Sequence, residues 1–151
     1  MITYHNGDLL KSGCNIICHQ VNLQGVMGGG LALQIAKKYP ECEKEYAEFV
    51  KKMGSKHIIG GTVYFYHIDD EHMIANCFTQ DEFFNTDYVD LMCALGGIYA
   101  KVKPGQTVGF PYGYGCGIAK GNWEQVESLI IDTFKNSDID CQIWKCEEGK
   151  K

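Results

Sequence analysis

Two glycine-rich stretches of this 151-residue chain have the pattern of an anion-binding site. The first is Val21-Asn22-Leu23-Gln24-Gly25-Val26-Met27-Gly28-Gly29-Gly30-Leu31, and the second is Tyr112-Gly113-Tyr114-Gly115-Cys116-Gly117-Ile118. Glycine lets the backbone approach a ligand closely and leaves its N–H groups uncovered. A helix that begins in such a loop adds unpaired N–H groups and a positive dipole end. Each loop alone is a weak signal, but two loops that follow strands and precede helices favour one phosphate-binding cleft.

Four side chains near these loops are candidates for ligand contact or chemistry. His19 ends an apolar run beside the first loop, where a histidine is either a hydrogen-bonded structural residue or a group that transfers a proton or contacts a ribose. Asp8 follows an Asn-Gly turn and either caps a turn or contacts a ligand. Trp144 ends the last apolar run and either packs in the core or walls a pocket. Cys116 lies in the second loop, where we favour a small packed residue over a nucleophile.

Other nucleotide-binding patterns do not fit the two loops. A Walker loop ends in Gly-Lys-Ser/Thr, which neither loop contains, and Gly25-Val26-Met27-Gly28-Gly29-Gly30 misses the GxGxxG spacing of a dinucleotide fold. The net charge of -5 argues against a general nucleic-acid binder. All 14 basic residues are Lys, so a bound phosphate must rely on Lys, backbone N–H groups and helix ends.

The 8 cysteines are scattered through apolar runs and include no CxxC pair, so we predict buried reduced thiols and no metal site. We find no secretory signal and no apolar run of membrane-spanning length. These observations predict a cytoplasmic protein with no membrane association.

The order of the elements predicts a three-layer α/β/α domain. Apolar, β-branched and aromatic runs predict strands, and residues at helical spacing predict helices. The predicted strands are 1–5, 15–21, 62–68, 72–78, 107–110 and 140–144, and the predicted helices are 31–39, 40–53, 86–103 and 122–136. We expect 62–68 and 72–78 to form a hairpin, and Phe83 and Phe84 in the following loop either to cap the core or to flank a ligand. In such folds ligands bind beyond the carboxyl ends of the strands.

Taken together, four segments resemble the macrodomain family over essentially the whole chain. They are Gly7-Asp8-Leu9, Ile17-Cys18-His19-Gln20-Val21-Asn22, Met27-Gly28-Gly29-Gly30-Leu31-Ala32, and Pro111 through Trp123. The resemblance implies one macrodomain over residues 1–146, with a mixed, roughly six-stranded sheet between helices and a frayed tail at 147–151. It also implies a cleft that binds ADP-ribose.

The resemblance assigns roles residue by residue. It implies that Asp8 and Leu9 lie at the adenine, that Trp144 borders the adenine, and that Asn22 contacts the distal ribose. The two loops would surround the diphosphate, through Met27, Gly28, Gly29, Gly30 and Leu31 on one side and Gly113, Tyr114, Gly115, Cys116, Gly117 and Ile118 on the other. Backbone amides do most of this work in the family, which suits a chain without Arg.

Within the family, the chain is most similar to a branch that holds ADP-ribose-1″-phosphate phosphatases and ADP-ribosyl glycohydrolases. The glycohydrolases use a Lys after the hairpin and an Asp after the second loop. This chain has Phe78-Thr79-Gln80-Asp81 in the first region and Ala119 in place of that Asp, so the Lys–Asp mechanism does not carry over. His19 matches a His of the phosphatase. We predict His19 and Asp81 as catalytic residues, with Asp81 acting if its loop folds over the distal ribose.

These resemblances predict a hydrolase of an ADP-ribose derivative, similar to the ADP-ribose-1″-phosphate phosphatases. Two alternatives stay open. One is a non-catalytic ADP-ribose reader, and the other is a glycohydrolase with a different catalytic set that acts on ADP-ribosylated protein or DNA. We expect a monomer that needs no cofactor or metal and that binds ADP-ribose, alone or attached to a macromolecule.

Overall fold

The structure, a computed structural model, describes residues 1–146, so the predicted frayed tail at 147–151 lies outside the described residues. The described chain forms β1 (Ile2–Asn6), β2 (Ile16–Val21), α1 (Gly30–Lys38), α2 (Pro40–Met53), α3 (Lys56–Ile59), β3 (Val63–His67), β4 (Met73–Phe78), α4 (Tyr88–Lys101), β5 (Thr107–Pro111), α5 (Trp123–Phe134) and β6 (Asp140–Lys145). A 3-10 helix at Leu9–Lys11 precedes β2. Every predicted strand and helix is confirmed, with ends shifted by a few residues.

One six-stranded sheet of order β1-β6-β5-β2-β4-β3 crosses the molecule. All neighbouring strands are parallel except β3 and β4, which form the expected antiparallel hairpin. The sheet is therefore mixed, as predicted. Because β2 and β5 are parallel neighbours, the loops that follow them leave the same edge of the sheet side by side.

Helices cover both faces of the sheet and complete the three layers. The core on one face contains buried residues of α4 and α5, and the core on the other contains residues of α1, α2, α3 and the 3-10 helix. The side chains of β2 contribute to both cores, because alternate side chains of a strand point to opposite faces of the sheet. Cys18 joins the α4 and α5 side, whereas Ile17 and Val21 join the α1 and α2 side.

The helix boundaries follow the expected capping chemistry. Pro40 occupies the first turn of α2, and Gly54 ends that helix with a φ of 86°. The Asp87 carboxylate accepts a hydrogen bond from the Asp90 N–H at the start of α4. The Asn122 side chain accepts one from the Gln125 N–H at the start of α5, which is the first of the two bonds of a capping box.

Two details differ from the prediction. The short helices at 9–11 and 56–59 were not expected, because segments this short carry no hydrophobic period. In α4, Met92 and Tyr99 are apolar residues at helical spacing, but they are 58% and 46% exposed. Ala94 is buried instead, since the inner face of α4 is centred on the row that includes Leu91, Leu95 and Ile98.

The cysteines behave largely as predicted. Five of them are buried free thiols: Cys14, Cys18, Cys42, Cys77 and Cys141. Within residues 1–146, no helix has the length and apolar character needed to span a membrane.

Candidate functional site

A cleft of about 680 Å³ opens at the carboxyl ends of β2 and β5. Both glycine loops line it, which confirms that they face each other. The lining residues are His19, Gln20, Val21, Asn22, Gln24, Val26, Met27, Gly28, Gly29, Gly30, Leu31, Ala32, Gln80, Phe84, Pro111, Gly113, Tyr114, Gly115, Gly117, Ile118 and Ala119. This set contains most of the predicted ligand-binding residues; Asp8, Leu9, Cys116 and Trp144 are outside it.

The cleft lining carries no charged side chain: none of the described residues that line it is Lys, Asp or Glu. Its titratable side chains are His19 and Tyr114, and burial raises the pKa of the Tyr114 hydroxyl well above its usual value. Among residues 1–146, no cluster of three or more His, Cys, Asp or Glu could hold a metal ion. A ligand in this cleft therefore meets polar backbone, amide and apolar groups.

The first loop is held in shape by Asn22. Its Nδ2 donates to the Val26 carbonyl at 3.0 Å, and its Oδ1 accepts from the Gln24 N–H at 2.9 Å. The Tyr46 hydroxyl lies 2.6 Å from both the Asn22 carbonyl and Oδ1. Asn22 thus organises the loop from within, whether or not it also contacts a ligand.

Five consecutive backbone N–H groups at the end of this loop have no acceptor within the described chain. The first backbone bond of α1 runs from the Leu33 N–H to the Gly29 carbonyl at 3.2 Å, so the N–H groups of Gly30, Leu31 and Ala32 precede the helical ladder. Those of Gly28 and Gly29 are also unpaired. Gly30 has a φ of 57°, the left-handed region that glycine adopts without strain. The arrangement is a row of donors suited to an anion.

The second loop alternates between used and unused N–H groups. The Tyr114 N–H donates to the Pro111 carbonyl at 3.1 Å, and the Cys116 N–H donates to the Gly113 carbonyl at 2.9 Å. The Tyr112 N–H is also paired, and in the described structure the remaining four N–H groups of the loop have no intramolecular acceptor; they belong to Gly113, Gly115, Gly117 and Ile118. The Cys116 thiol bonds the Tyr114 carbonyl at 3.2 Å, and burial raises its pKa, which fits a packed residue.

A partly buried polar network links the end of β2 to the turn after β4 and to the second loop, and the sequence did not reveal it. Gln20 Nε2 donates to Thr79 Oγ1 at 3.0 Å and to Thr86 Oγ1 at 3.1 Å. Thr79 Oγ1 also bonds the Tyr114 hydroxyl at 2.8 Å. Gln80 Nε2 donates to Gln20 Oε1 at 2.9 Å. The feature that could have indicated it is Gln20, a long polar side chain near the end of a mostly apolar strand.

His19 lies beside the cleft and is almost fully buried, with 2% of its surface exposed. Its Nε2 is 2.6 Å from Oδ1 of Asn76, which is fully buried on β4. Burial lowers the pKa of His19 to about 4, even though the bond to Asn76 opposes the shift. The imidazole is therefore neutral at physiological pH.

The loop after β4 is a tight turn fixed by Asp81. Its Oδ1 accepts hydrogen bonds from the N–H groups of Phe83 and Asn85, each at 2.9 Å. Phe84 lines the cleft with a φ of 66°, whereas Phe83 is 76% exposed and lies outside the lining. Of the two interpretations of these residues, Phe84 therefore flanks the cleft. The structure does not bring Asp81 into the cleft lining, and its catalytic role stays a prediction.

The predicted adenine-binding residues lie farther along the same sheet edge. Asp8 Oδ1 accepts from the Leu10 N–H at 2.9 Å and caps the 3-10 helix, and Leu9 is buried in the core. The Trp144 ring stacks on His5, with centroids 4.8 Å apart and planes 12° from parallel. The Tyr112 N–H donates to the Trp144 carbonyl at 2.8 Å, which joins this region to the second loop. Their contacts with adenine stay predictions.

No protein-family model matches the chain, but several curated proteins and solved structures are similar to it. A segment of 84 residues, 54% of this chain, is 34% identical to the ADP-ribose 1″-phosphate phosphatase of Saccharomyces cerevisiae and covers 47% of that protein. The DNA ADP-ribosyl glycohydrolase of Mycobacterium tuberculosis is 28% identical over 160 residues, which cover all of this chain and 44% of the relative. The chain thus spans about half the length of these relatives, or slightly less.

One relative of similar length also matches. An uncharacterized 17.5 kDa protein of Enterobacteria phage T4 is 33% identical over 150 residues, which cover 90% of this chain and 91% of that protein.

Several solved structures are similar to this chain in fold. The macrodomain of Mycobacterium tuberculosis DarG is similar with a TM-score of 0.81 and 27% identity, over 95% of this chain and 97% of that one. The Thermosipho africanus DarTG structure in complex with ADP-ribose shares the fold, with a TM-score of 0.79 and 21% identity, over 99% of this chain and 43% of that one. The chain has the macrodomain fold.

Proposed function

We propose that the cleft binds ADP-ribose and holds its diphosphate between the two glycine loops. The observation that carries this proposal is the set of unpaired N–H groups at Gly28–Ala32 on one side and at Gly113, Gly115, Gly117 and Ile118 on the other. Oriented backbone amides and a helix N-terminus stabilise a diphosphate without any cationic side chain. This accounts for a cleft that has no Lys and a chain that has no Arg.

The order of the strands gives the proposed ligand a direction. The adenosine half extends toward the ends of β1 and β6, where Asp8 and Trp144 lie. The distal ribose extends toward the ends of β2 and β4, where His19, Asn22 and Phe84 line the cleft. The group attached to the distal ribose thus comes next to His19.

We further propose that the cleft hydrolyses ADP-ribose 1″-phosphate, the substrate class named for the yeast relative. Water attacks the phosphorus, the bond between phosphorus and the ribose oxygen breaks, and the freed oxygen takes up a proton. His19 accepts the proton of the attacking water, since it is neutral at physiological pH and belongs to the cleft lining. Asp81 stays a proposed second catalytic residue.

A second candidate is binding of ADP-ribose without turnover. The cleft lining offers no carboxylate and no Lys, and Ala119 stands where the glycohydrolases of this branch carry an Asp. His19, with a pKa of about 4, is a weak base. Glycohydrolysis of modified DNA or protein, by a different catalytic set, is a third outcome that the experiment distinguishes.

The experiment has two stages. Calorimetry with ADP-ribose measures binding, for which Gly30→Val is a suitable negative control because it strains a left-handed position in the first loop. The protein is then incubated with ADP-ribose 1″-phosphate, ADP-ribosylated DNA or ADP-ribosylated protein. Release of phosphate supports the phosphatase, and release of ADP-ribose supports a glycohydrolase. Binding without either product supports the non-catalytic module, and no binding at millimolar ligand refutes the whole proposal.

A further inference from the structure

A buried hydrogen-bond chain runs from His19 into the sheet. His19 and Asn76 are cross-strand partners in the pairing of β2 with β4. Nε2 of His19 and Oδ1 of Asn76 are 2.6 Å apart, and Nδ2 of Asn76 donates to the Tyr64 carbonyl on β3 at 3.0 Å. The register of the sheet therefore fixes the positions of His19, Asn76 and Tyr64 in this hydrogen-bond network.

The Tyr64 carbonyl determines the orientation of the Asn76 amide. A carbonyl only accepts hydrogen bonds, so the amide must present its NH₂ group to Tyr64 and its oxygen to His19. The His19 nitrogen that faces this oxygen must then carry the hydrogen. The opposite amide orientation would bring two carbonyl oxygens together at the Tyr64 position. The network therefore permits one tautomer of His19, with hydrogen on Nε2 and a lone pair on Nδ1.

We propose that Asn76 is a positioning residue, which locks His19 as the Nε2–H tautomer and so presents Nδ1 as the acceptor for the attacking water or for a ligand hydroxyl. The catalytic part of this inference rests on the proposed function. The tautomer itself does not, since it follows from the hydrogen bonds alone.

The other ring nitrogen of His19, Nδ1, supports the proposed positioning role of Asn76. His19 Nδ1 is buried and has no hydrogen-bond partner within the described chain, and His19 lines the cleft. Buried polar atoms of native proteins are nearly always paired, so Nδ1 is the nitrogen of His19 that remains for a partner supplied by the ligand or by water.

The surroundings of Asn76 favour a neutral network. Cys42 of α2 lies behind the amide, with its Sγ 3.6 Å from Nδ2 and 3.7 Å from Oδ1. Burial raises the pKa of the Cys42 thiol to about 11, so it carries no charge near neutral pH. Cys42 touches Asn76 without an observed hydrogen bond to His19, which makes it a matched control for Asn76.

Nitrogen NMR on protein with ¹⁵N-labelled histidine tests the tautomer directly. In the wild type we expect His19 to show hydrogen on Nε2 and a pyridine-type Nδ1, and we expect the Nδ1 signal to shift when ADP-ribose is added. Asn76→Leu should produce a mixture of tautomers, whereas Cys42→Ala and Asn76→Asp should keep the wild-type pattern. Asn76→Asp retains an acceptor oxygen and, when protonated, a donor toward Tyr64. A wild-type His19 with hydrogen on Nδ1, or an Nδ1 signal insensitive to ADP-ribose, overturns the inference.

Turnover of ADP-ribose 1″-phosphate tests the consequence. We expect Asn76→Leu to lower kcat by about 10–100-fold, the loss typical when a group that orients a functional histidine is removed. KM should stay within about twofold, since Asn76 does not line the cleft. Unchanged kcat in a folded Asn76→Leu protein contradicts the positioning role. If the wild type binds ADP-ribose but releases no product, the proposed hydrolysis fails, and the NMR result still decides the tautomer.

Discussion

The Thr86 hydroxyl donates a hydrogen bond to the Gly115 carbonyl at 2.7 Å, which ties the turn after β4 to the second glycine loop. The same hydroxyl oxygen accepts a bond from Gln20 Nε2 at 3.1 Å. One side chain thus links the end of β2, the turn that carries Phe84, and the loop proposed to hold the diphosphate. The shape of the cleft depends on this junction.

Replacing Thr86 with Val should loosen the junction without changing its volume. We expect the free energy of unfolding to fall by about 1–2 kcal/mol, because the Gly115 carbonyl and the Gln20 amide lose a partner. ADP-ribose affinity, measured by calorimetry, should fall several-fold. The matched control is Thr133→Val, which removes a 2.8 Å bond to the Leu129 carbonyl within α5 and away from the cleft. Equal ADP-ribose affinity in both variants would contradict the proposed link.

The glycine at position 115 should not tolerate a side chain. Gly115 has a φ of 71°, and an added Cβ would lie 2.7 Å from Thr86 Oγ1 and 3.3 Å from Gln20 Nε2. We expect Gly115→Ala to lower the free energy of unfolding by roughly 2 kcal/mol, from backbone strain together with this crowding. Gly117→Ala is the control, since its Cβ would meet nothing within 4 Å. Denaturant midpoints that shift equally in the two variants would show that the crowding has no effect.

The two phenylalanines of the turn should differ in their effect on binding. Phe84 lines the cleft, whereas its neighbour Phe83 does not and is 76% exposed. We expect Phe84→Ala to weaken ADP-ribose binding by about 5–10-fold, since the apolar area that the ligand covers is lost. Phe83→Ala should leave the dissociation constant unchanged. Calorimetry on both variants checks this, and a larger loss from Phe83→Ala would reverse the assignment.

The buried His19 should make the fold sensitive to acid. Its pKa is about 4 in the folded protein against an ordinary value of 6.5, so between these values the unfolded chain binds a proton that the folded chain does not. The free energy of unfolding therefore falls as the pH drops from 6.5 toward 4, by a total on the order of 3 kcal/mol from this residue. Above pH 6.5 its contribution is constant.

Urea unfolding at several pH values, in the wild type and in His19→Gln, isolates this effect. The other ionisable groups contribute equally to both proteins, so the difference between the two curves belongs to position 19. We expect the wild type to lose more stability than the variant on acidification. Parallel curves would mean that His19 does not have the lowered pKa described here.

Much of the architecture follows from local sequence patterns. The strands around His19 and Phe110 are apolar runs bounded by turn residues, and α2 is bracketed by Pro40 and Gly54. Both glycine loops could also be placed, because each follows a strand and precedes a helix. These features depend on residues close together in the chain, which is why the sequence alone predicts them.

The features that escaped prediction depend on contacts between distant residues. Gln20 meets Thr79 and Thr86, which lie 59 and 66 residues away, and the partner of His19 is Asn76, 57 residues away. A single sequence carries no signal for such pairs. The sequence likewise left open whether Phe83 and Phe84 cap the core or flank a ligand, since adjacent residues in a turn have no fixed period.

The row of unpaired N–H groups at Gly28–Ala32 affects how the sequence of this cleft can evolve. Because peptide groups are common to all residues except proline, substitutions that preserve the loop conformation leave these donors in place. Side chains elsewhere in the cleft, such as those at positions 19, 80 and 119, can therefore be exchanged one at a time while the donors proposed to bind phosphate persist. In such a scaffold the backbone provides ligand binding and the side chains provide any chemistry. Catalytic activity can therefore be lost or replaced while ligand binding is kept.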